Sequence, residues 1–511
     1  MKYANATYDK ILKLSSAPSF KIVSLLIAIL ISLFAAYYTK PDSSFAADSL
    51  MKILQTKGWI TNDFRSQEIF YLGKRIDSEF AFFPIETYTT ERGEKIGPFP
   101  IANTLITSPF VWANQPGLLI YLCALLFCAY LTLLYGMTKR ILIPFAAAIA
   151  TPLFHHFISF SDVSVAAVLV LLGVSILQNE KNLFAGYHPA PMLLSGALFG
   201  LGCWYRPEVL ILTACIVFSS ILIKTFSKES SFIEDLKNIS SFSGGFVLIF
   251  ATFVLYNFLN YDSFLGPRVA SNRTIAVFDL AAKISSVKSL IFAGNGRLGL
   301  LGYSPWYLLI VLFGLWKWKV SSESARTWIL TFVLNLILVG ILTPNDSNID
   351  WGSRYLTCSV FIPLLLLNEI KLKETQTKLY KNIILFGFGI LIVYSASVNL
   401  KVIKLMRKIS IQLSQIQSEI PWNSSKVFIT QKIHVANTFG LNYLSQTILL
   451  IHNENDLDQI LKSYPNETLV LIEEPFDKTL SEFVKTKFSN SFRIEDITKP
   501  GGLLHITEVK R

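Results

Sequence analysis

Charge is what this sequence has least of. Only 16 % of its 511 residues are Asp, Glu, Lys or Arg, against about 25 % in an ordinary soluble chain. That is too little polar surface to keep a chain of this length dissolved. With 52 % apolar residues, disorder and coiled coil are excluded, and a lone soluble enzyme nearly so. Cysteine is scarce too. Cys123, Cys128, Cys203, Cys215 and Cys358 all lie inside apolar runs without paired spacing, so they read as small hydrophobes and not as disulfides or a zinc site. No internal repeat or low-complexity tract is present. The formal charge of +11 could suggest nucleic acid, but the lysines sit in short segments between apolar runs, which argues against that partner.

What is abundant is long apolar sequence. A bilayer core of ~30 Å needs roughly 17–25 apolar residues per helix. The first run, Ile22–Tyr38, follows Lys2, Lys10, Lys13 and Lys21 and precedes no clean cleavage site. It reads as an uncleaved anchor with a cytoplasmic N-terminus. Further runs centre on Leu118–Tyr135, Ile141–Ser159, Val163–Leu177, Met192–Tyr205, Val209–Ile223, Phe242–Asn260, Leu300–Trp316, Trp328–Thr343, Leu356–Leu367 and Ile383–Leu400. The expectation is about eleven helices in the inner or plasma membrane. Every second loop is basic: Lys139 and Arg140; Lys181; Lys224, Lys228 and Lys237; Lys317, Lys319 and Arg326; Lys371, Lys373, Lys378 and Lys381. The opposite short loops hold almost nothing basic except Arg206 and Arg354. This positive-inside pattern supports the count, and an odd number of crossings puts the C-terminus outside.

The fold expected is an α-helical polytopic membrane protein with a small extracytoplasmic α/β C-terminal domain. Residues 1–400 form the transmembrane domain, with a long outer first loop over 39–116, and residues 401–511 the soluble domain. In the tail, Lys426–Thr430, Thr447–Ile451, Thr468–Ile472 and Leu503–Thr507 read as strands, with helices at Asp456–Ser463 and Thr479–Phe488.

Ionisable residues at membrane depth are costly and usually functional. Here they gather at the outer helix ends: Asp42 and Asp48 after the first helix, Asp162 just beyond His155 and His156, Arg206 and Glu208 between two helices, then Arg268 and Arg354. Each has a bland reading. Asp48 and Lys52, four apart on one helical face, suit a surface ion pair. Arg206 and Arg354 suit snorkelling anchors, and the two histidines suit interfacial hydrogen bonding better than metal ligation. Convergence of these residues at one face carries the functional inference.

Two motifs are decoys. GNGRLG at Gly294–Gly299 fits a dinucleotide glycine pattern but follows no strand and opens an apolar helix. Asp456 and Asp458 form a DxD, yet they start a helix, where acids favour the dipole.

The order of local motifs resembles the GT-C superfamily of glycosyltransferases, which includes protein O-mannosyltransferases and the lipid A aminoarabinose transferases. The motifs are ADSLMKILQTKGW (Ala47–Trp59), GPFPIANTLITSPF (Gly97–Phe110), ATPLFHHFISFSD (Ala150–Asp162), GLGCWYRPEVL (Gly200–Leu210), YNFLNYDSFLG (Tyr256–Gly266) and WGSRYL (Trp351–Leu356). The likeness runs over roughly residues 20–400. It departs from the group in a single Asp48 where an Asp-Glu pair is usual, with Asp42 as a rival, and in Ser353 where Pro is common.

The resemblance implies transfer of a sugar from a polyprenyl-phosphate carrier to a lipid, glycan or protein acceptor of the cell envelope, at the outer membrane face. That chemistry needs a base for the acceptor and cations for the phosphate leaving group. Asp48 is expected as base and Asp162 as second acid. Arg206 and Arg354 are expected on the phosphate, with Lys52, Arg268 and Glu208 as helpers in the donor site. Asp48 and Asp162 would hold a divalent cation if one takes part, although nothing in the spacing demands it. The alternatives are a flippase or transporter of lipid-linked sugars, which would carry midplane polar residues and inverted repeats, and an oligosaccharide polymerase or ligase.

Overall fold

The computed structural model describes residues 18–39, 45–179, 189–226, 232–275, 279–345, 351–369, 378–423, 425–464 and 466–510. Asp42 lies outside them, as do the basic segments 180–188 and 370–377. The chain divides into two compact units. One comprises the chain up to Tyr38 with Ile120–Leu259 and Ser263–Lys404; the other comprises Thr39–Leu119, Asn260–Asp262 and the chain from Leu405.

The first unit is built of apolar helices. Among the described residues, five helices are long and apolar enough to cross a membrane: Leu118–Thr138, Glu208–Thr225, Ile233–Tyr261, Glu323–Leu342 and Phe386–Glu419. Shorter apolar helices cover Leu25–Tyr38, Asp162–Gln178 and Trp306–Trp316. The chain is an integral membrane protein, with five full-length candidate spans among the described residues where the sequence suggested about eleven. Two of the expected runs are broken. The run Ile141–Ser159 breaks at Pro152 into helices Leu142–Ile149 and Leu153–Phe157. The run Leu356–Leu367 opens in a 3₁₀ turn, Arg354–Ser359, and ends in helix Phe361–Glu369 of nine residues, roughly 13 Å long at ~1.5 Å per residue.

Within this unit helix Asp162–Asn179 packs on Pro189–Tyr205, and Glu208–Thr225 packs on Glu323–Leu342. Small residues let helix backbones approach, as they do in membrane bundles generally. At Gly196 a Cβ would collide with the carbonyl oxygen of Phe242 on the neighbouring helix Phe232–Tyr261.

The second unit is centred on a five-stranded sheet of Lys426–Thr430, Thr447–Leu450, Thr468–Glu473, Arg493–Asp496 and His505–Lys510. Numbered along the chain, the strands lie in the order second, first, third, fifth, fourth; the first three are parallel and the last two antiparallel. Phe428 sits opposite both Ile448 and Val470, so the central strands are buried on both faces, as continuous apolar runs predict. Helix Glu454–Ser463 opens with a capping box between Asn453 and Asp456, which is the work of the first acid of the DxD.

The sheet's core is shared with the first loop. Leu50, Met51, Leu54, Ile69, Tyr71, Phe80 and Phe83 pack in one cluster with Phe428, Phe439, Leu449 and Leu471. The backbone N–H of Leu450 donates to the Phe82 carbonyl at 2.7 Å. Residues 39–116, assigned from sequence to the membrane domain, thus fold with the C-terminal region. The boundary expected at residue 400 falls inside the uninterrupted helix Lys378–Glu419.

Candidate active site

Four chain turns of the first unit build a buried charge cluster. Asp162 is the first residue of its helix, where an acid complements the dipole. Arg206 ends the helix Pro189–Tyr205, and its N–H still donates to the Gly202 carbonyl at 2.9 Å. Pro207 then stops that helix and leads into Glu208–Thr225, a position whose missing donor costs nothing. Arg268 follows Pro267 at the start of helix Pro267–Ile275. Arg354 opens the 3₁₀ turn after Gly352 and Ser353, both with positive φ (76° and 62°). A Cβ on Gly352 would collide with Pro152, so glycine is what brings WGSRYL against the Ala150–Asp162 segment.

The carboxylate of Asp162 accepts from Arg268 Nη1 at 2.8 Å, and Arg206 Nη1 stands 3.5 Å from the same oxygen. Arg206 Nη2 donates to Glu208 Oε1 at 2.9 Å. The guanidinium carbons of Arg206 and Arg354 each lie 5.5 Å from the centre of the Tyr355 ring, within reach of a cation–π contact. Tyr355 is fixed in turn by donating to Asn345 Oδ1 at 2.9 Å. Arg206 is 1 % exposed, Asp162 6 % and Arg268 7 %, so these are desolvated charges and not surface pairs. Three guanidinium groups face two carboxylates, leaving these five side chains with a surplus of one positive charge. His155 and His156 are both buried nearby in sequence, their rings 3.9 Å apart.

A cavity of about 700 Å³ opens beside the cluster. Arg268, Glu208 and Tyr355 belong to both. Lys283 adds a further cation to its wall and donates to the Thr343 carbonyl. Leu210, Ile211, Leu265, Val269, Ile341 and Leu342 make the rest of the lining largely apolar. A charged margin against an oily wall is the shape that suits an amphiphile.

This architecture is found in solved structures. The oligosaccharyltransferase of Archaeoglobus fulgidus superposes with a TM-score of 0.55 at 11 % identity, covering 90 % of this chain and 70 % of its own. ArnT from Cupriavidus metallidurans, solved with undecaprenyl phosphate bound, superposes with a TM-score of 0.52 at 9 % identity, covering 96 % of this chain and 98 % of its own. The fold is GT-C. No family model matches the sequence, and no curated protein is similar to it. At such identities the likeness establishes the fold alone, and the residues must speak for the chemistry.

Of the residues singled out from sequence, Asp162, Arg206, Glu208 and Arg268 come together in one buried network of the first unit, and Arg354 joins it through the Tyr355 ring. Asp48 and Lys52 belong to the other unit. Asp48 is exposed at the first turn of helix Asp48–Thr61, entered through Ala47 at φ 45°. Lys52 is 4 % exposed with its Nζ 4.8 Å from the Phe99 ring centre, so it is no surface lysine. Gln55, on the same helix, donates to Gln67 Oε1 and to the Phe99 carbonyl, both at 3.0 Å.

Lys283, Asn272 and Tyr355 escaped the sequence reading. Lys283 and Asn272 lie in helices too short and polar to register as membrane spans, and Tyr355 was quoted only as part of a motif. The carboxylate of Asp162 is taken up by two guanidinium groups, and no three His, Cys, Asp or Glu side chains gather as a ligand set among the described residues.

Proposed function

We propose that this protein is a membrane glycosyltransferase that moves a sugar from a polyprenyl-phosphate donor to an acceptor of the cell envelope at the outer face. The observation that carries the reading is the position of Arg268. It binds the buried Asp162 on one side and lines the amphiphile-shaped cavity on the other. The apolar wall takes the prenyl chain, and the surplus guanidinium charge takes the phosphate as it leaves. Preorganised cations aimed at a developing anion act strongly where water is excluded. Asp162 orients Arg206 and Arg268, Glu208 steadies Arg206 from the other side, and Arg354 serves the phosphate with its planar fork. Asp48 is the base for the acceptor, with Lys52 four residues on to keep it ionised.

Membranes containing the protein, supplied with radiolabelled polyprenyl-phosphate sugars, should form a labelled product that contains no carrier lipid. Arg354→Lys keeps the charge but loses the bidentate fork, and should abolish most of the label at normal expression. A chain that carries the donor across the bilayer without releasing carrier phosphate would replace this reading with a flippase.

A further inference from the structure

The C-terminal sheet has a topological switch point that the transfer reaction does not use. Leaving strand Lys426–Thr430, the chain runs to one side, towards Thr447–Leu450. Leaving the adjacent parallel strand Thr468–Glu473, it runs to the other. Two neighbouring strands whose exits diverge create an opening beyond their carboxyl ends, and open α/β sheets bind their ligands there.

What lines that opening is specific. The two exit loops are tied by paired charges: Lys432 to Asp477 at 3.1 Å and His434 to Glu474 at 2.9 Å. Between the two acids, Pro475 and Phe476 form the tip of the second loop. Phe476 is fully exposed at 101 % of its reference surface, whereas most large apolar side chains of this unit are buried. An exposed aromatic ring flanked in sequence by the paired acids Glu474 and Asp477 presents a flat apolar face with hydrogen-bonding groups beside it.

The same loop excludes an anionic ligand. Switch-point sites that take phosphate leave the N–H groups of the following helix open to it. Here the Glu473 carboxylate accepts from the N–H groups of Leu480 and Ser481 at 2.7 and 3.2 Å, and Asp477 accepts from the Thr479 N–H at 3.3 Å. The anion position is filled by the protein's own acids. Hydrogen bonds from Thr479 and Lys432 hold the Asp477 carboxyl below its ordinary range, so it stays an acceptor for hydroxyl groups. A ligand suited to this place is neutral, rich in hydroxyls, and has one apolar face.

We propose that the carboxyl-end crevice of the C-terminal sheet is a binding site for a neutral carbohydrate, one sugar ring stacking on Phe476 while Lys432, His434, Glu474 and Asp477 take its hydroxyls. The inference stands on this unit alone and holds whether or not the first unit transfers sugar.

The test uses the full-length protein in nanodiscs against immobilised mannotriose, maltotriose, cellotriose and chitotriose, with a phosphorylated mannose as the anionic control. The wild type should retain at least one neutral trisaccharide over the control. Phe476→Ala should weaken that binding about tenfold, the scale of one lost stacking contact, with an unchanged melting temperature because the side chain packs on nothing. Phe476→Trp should restore it. Retention of none of the trisaccharides, preference for the phosphorylated sugar, or equal binding by Phe476→Ala would overturn the proposal. So would added quenching of Phe476→Trp emission, relative to wild type, in nanodiscs of brominated lipid, since that would make the ring a membrane anchor.

Discussion

Asp162 and Asp458 are each held between two cations, and they stand in opposite surroundings. Asp162 binds Arg268 at 2.8 Å and Arg206 at 3.5 Å, with all three side chains nearly sealed from solvent. Asp458 binds Lys462 at 2.7 Å and Lys487 at 3.1 Å, but those lysines are 64 % and 45 % exposed. The distances are alike, and burial separates them. An exposed pair exchanges one set of hydrogen bonds for water's and gains little. A buried pair cannot fall back on water, so each member depends on the other. The chain accepts that dependence around Asp162, where Arg268 also lines a cavity, whereas the pairs of Asp458 decorate a surface.

The comparison can be broken most directly at Asp162. Asp162→Asn removes the charge that compensates two buried arginines. A loss of about 3–5 kcal/mol in stability is expected, together with loss of nearly all sugar transfer. Melting of the detergent-purified variant and a radiolabel transfer assay read the two effects. A variant as stable and active as wild type would show that burial does not set the importance of these pairs.

Asp48 sharpens the contrast from the other side, being exposed and yet assigned a chemical role. Asp48→Asn should change stability by about 0.5 kcal/mol or less while slowing transfer by about 10²–10⁴-fold, the usual effect of losing a positioned base. Undiminished transfer in this variant would remove Asp48 from the mechanism.

Gly352 tests whether the arginine cluster depends on backbone geometry as well as charge. At φ 76° and against Pro152, Gly352→Ala should cost about 1–3 kcal/mol and displace Arg354 and Tyr355. Donor KM should therefore rise more than melting temperature falls. The reverse order would mean that the turn serves packing only.

The smallest effect belongs to Asp458. At neutral pH, Asp458→Asn should leave the melting temperature of the C-terminal region almost unchanged. Lys462 and Lys487 hold the Asp458 carboxyl below its ordinary 3.8, so the pairs' contribution is present above that pH and is lost as the group protonates below it. Wild type and variant should converge in acid. A gap that widens as pH falls would contradict the assignment.

These contrasts were unequally visible in the sequence. Strand Lys426–Thr430 and helix Thr479–Phe488 have the residue bounds expected of them, because apolar runs and amphipathic spacing are local signals. Strand Arg493–Asp496 was missed: its sequence, RIED, is three-quarters charged, and it pairs on one side only, as the sheet's edge. Hydropathy does not register a break such as the one at Pro152, so the run Ile141–Ser159 looked continuous where the structure has two helices. The arginines were picked out individually by their cost at membrane depth. The pairing of Arg268 with Asp162 joins residues 106 positions apart, and no spacing rule announces it. The core shared by Leu50 and Phe428 was hidden for the same reason, since each segment looked complete in its own hydropathy.

That shared core has a consequence for how the chain is made. Leu50, Met51 and Leu54 leave the ribosome long before the strands they pack against. Nearly three hundred residues separate Leu119 from Leu405, which at 5–20 residues per second is a delay of roughly 15–60 s. During that interval the first segment has its apolar side chains and no sheet to bury them. The growing chain must therefore hold an unfinished half-core in waiting. A chain stopped before Leu405 would not be a membrane protein trimmed of an accessory domain; it would carry an orphaned apolar surface, the substrate that quality-control proteases and chaperones recognise.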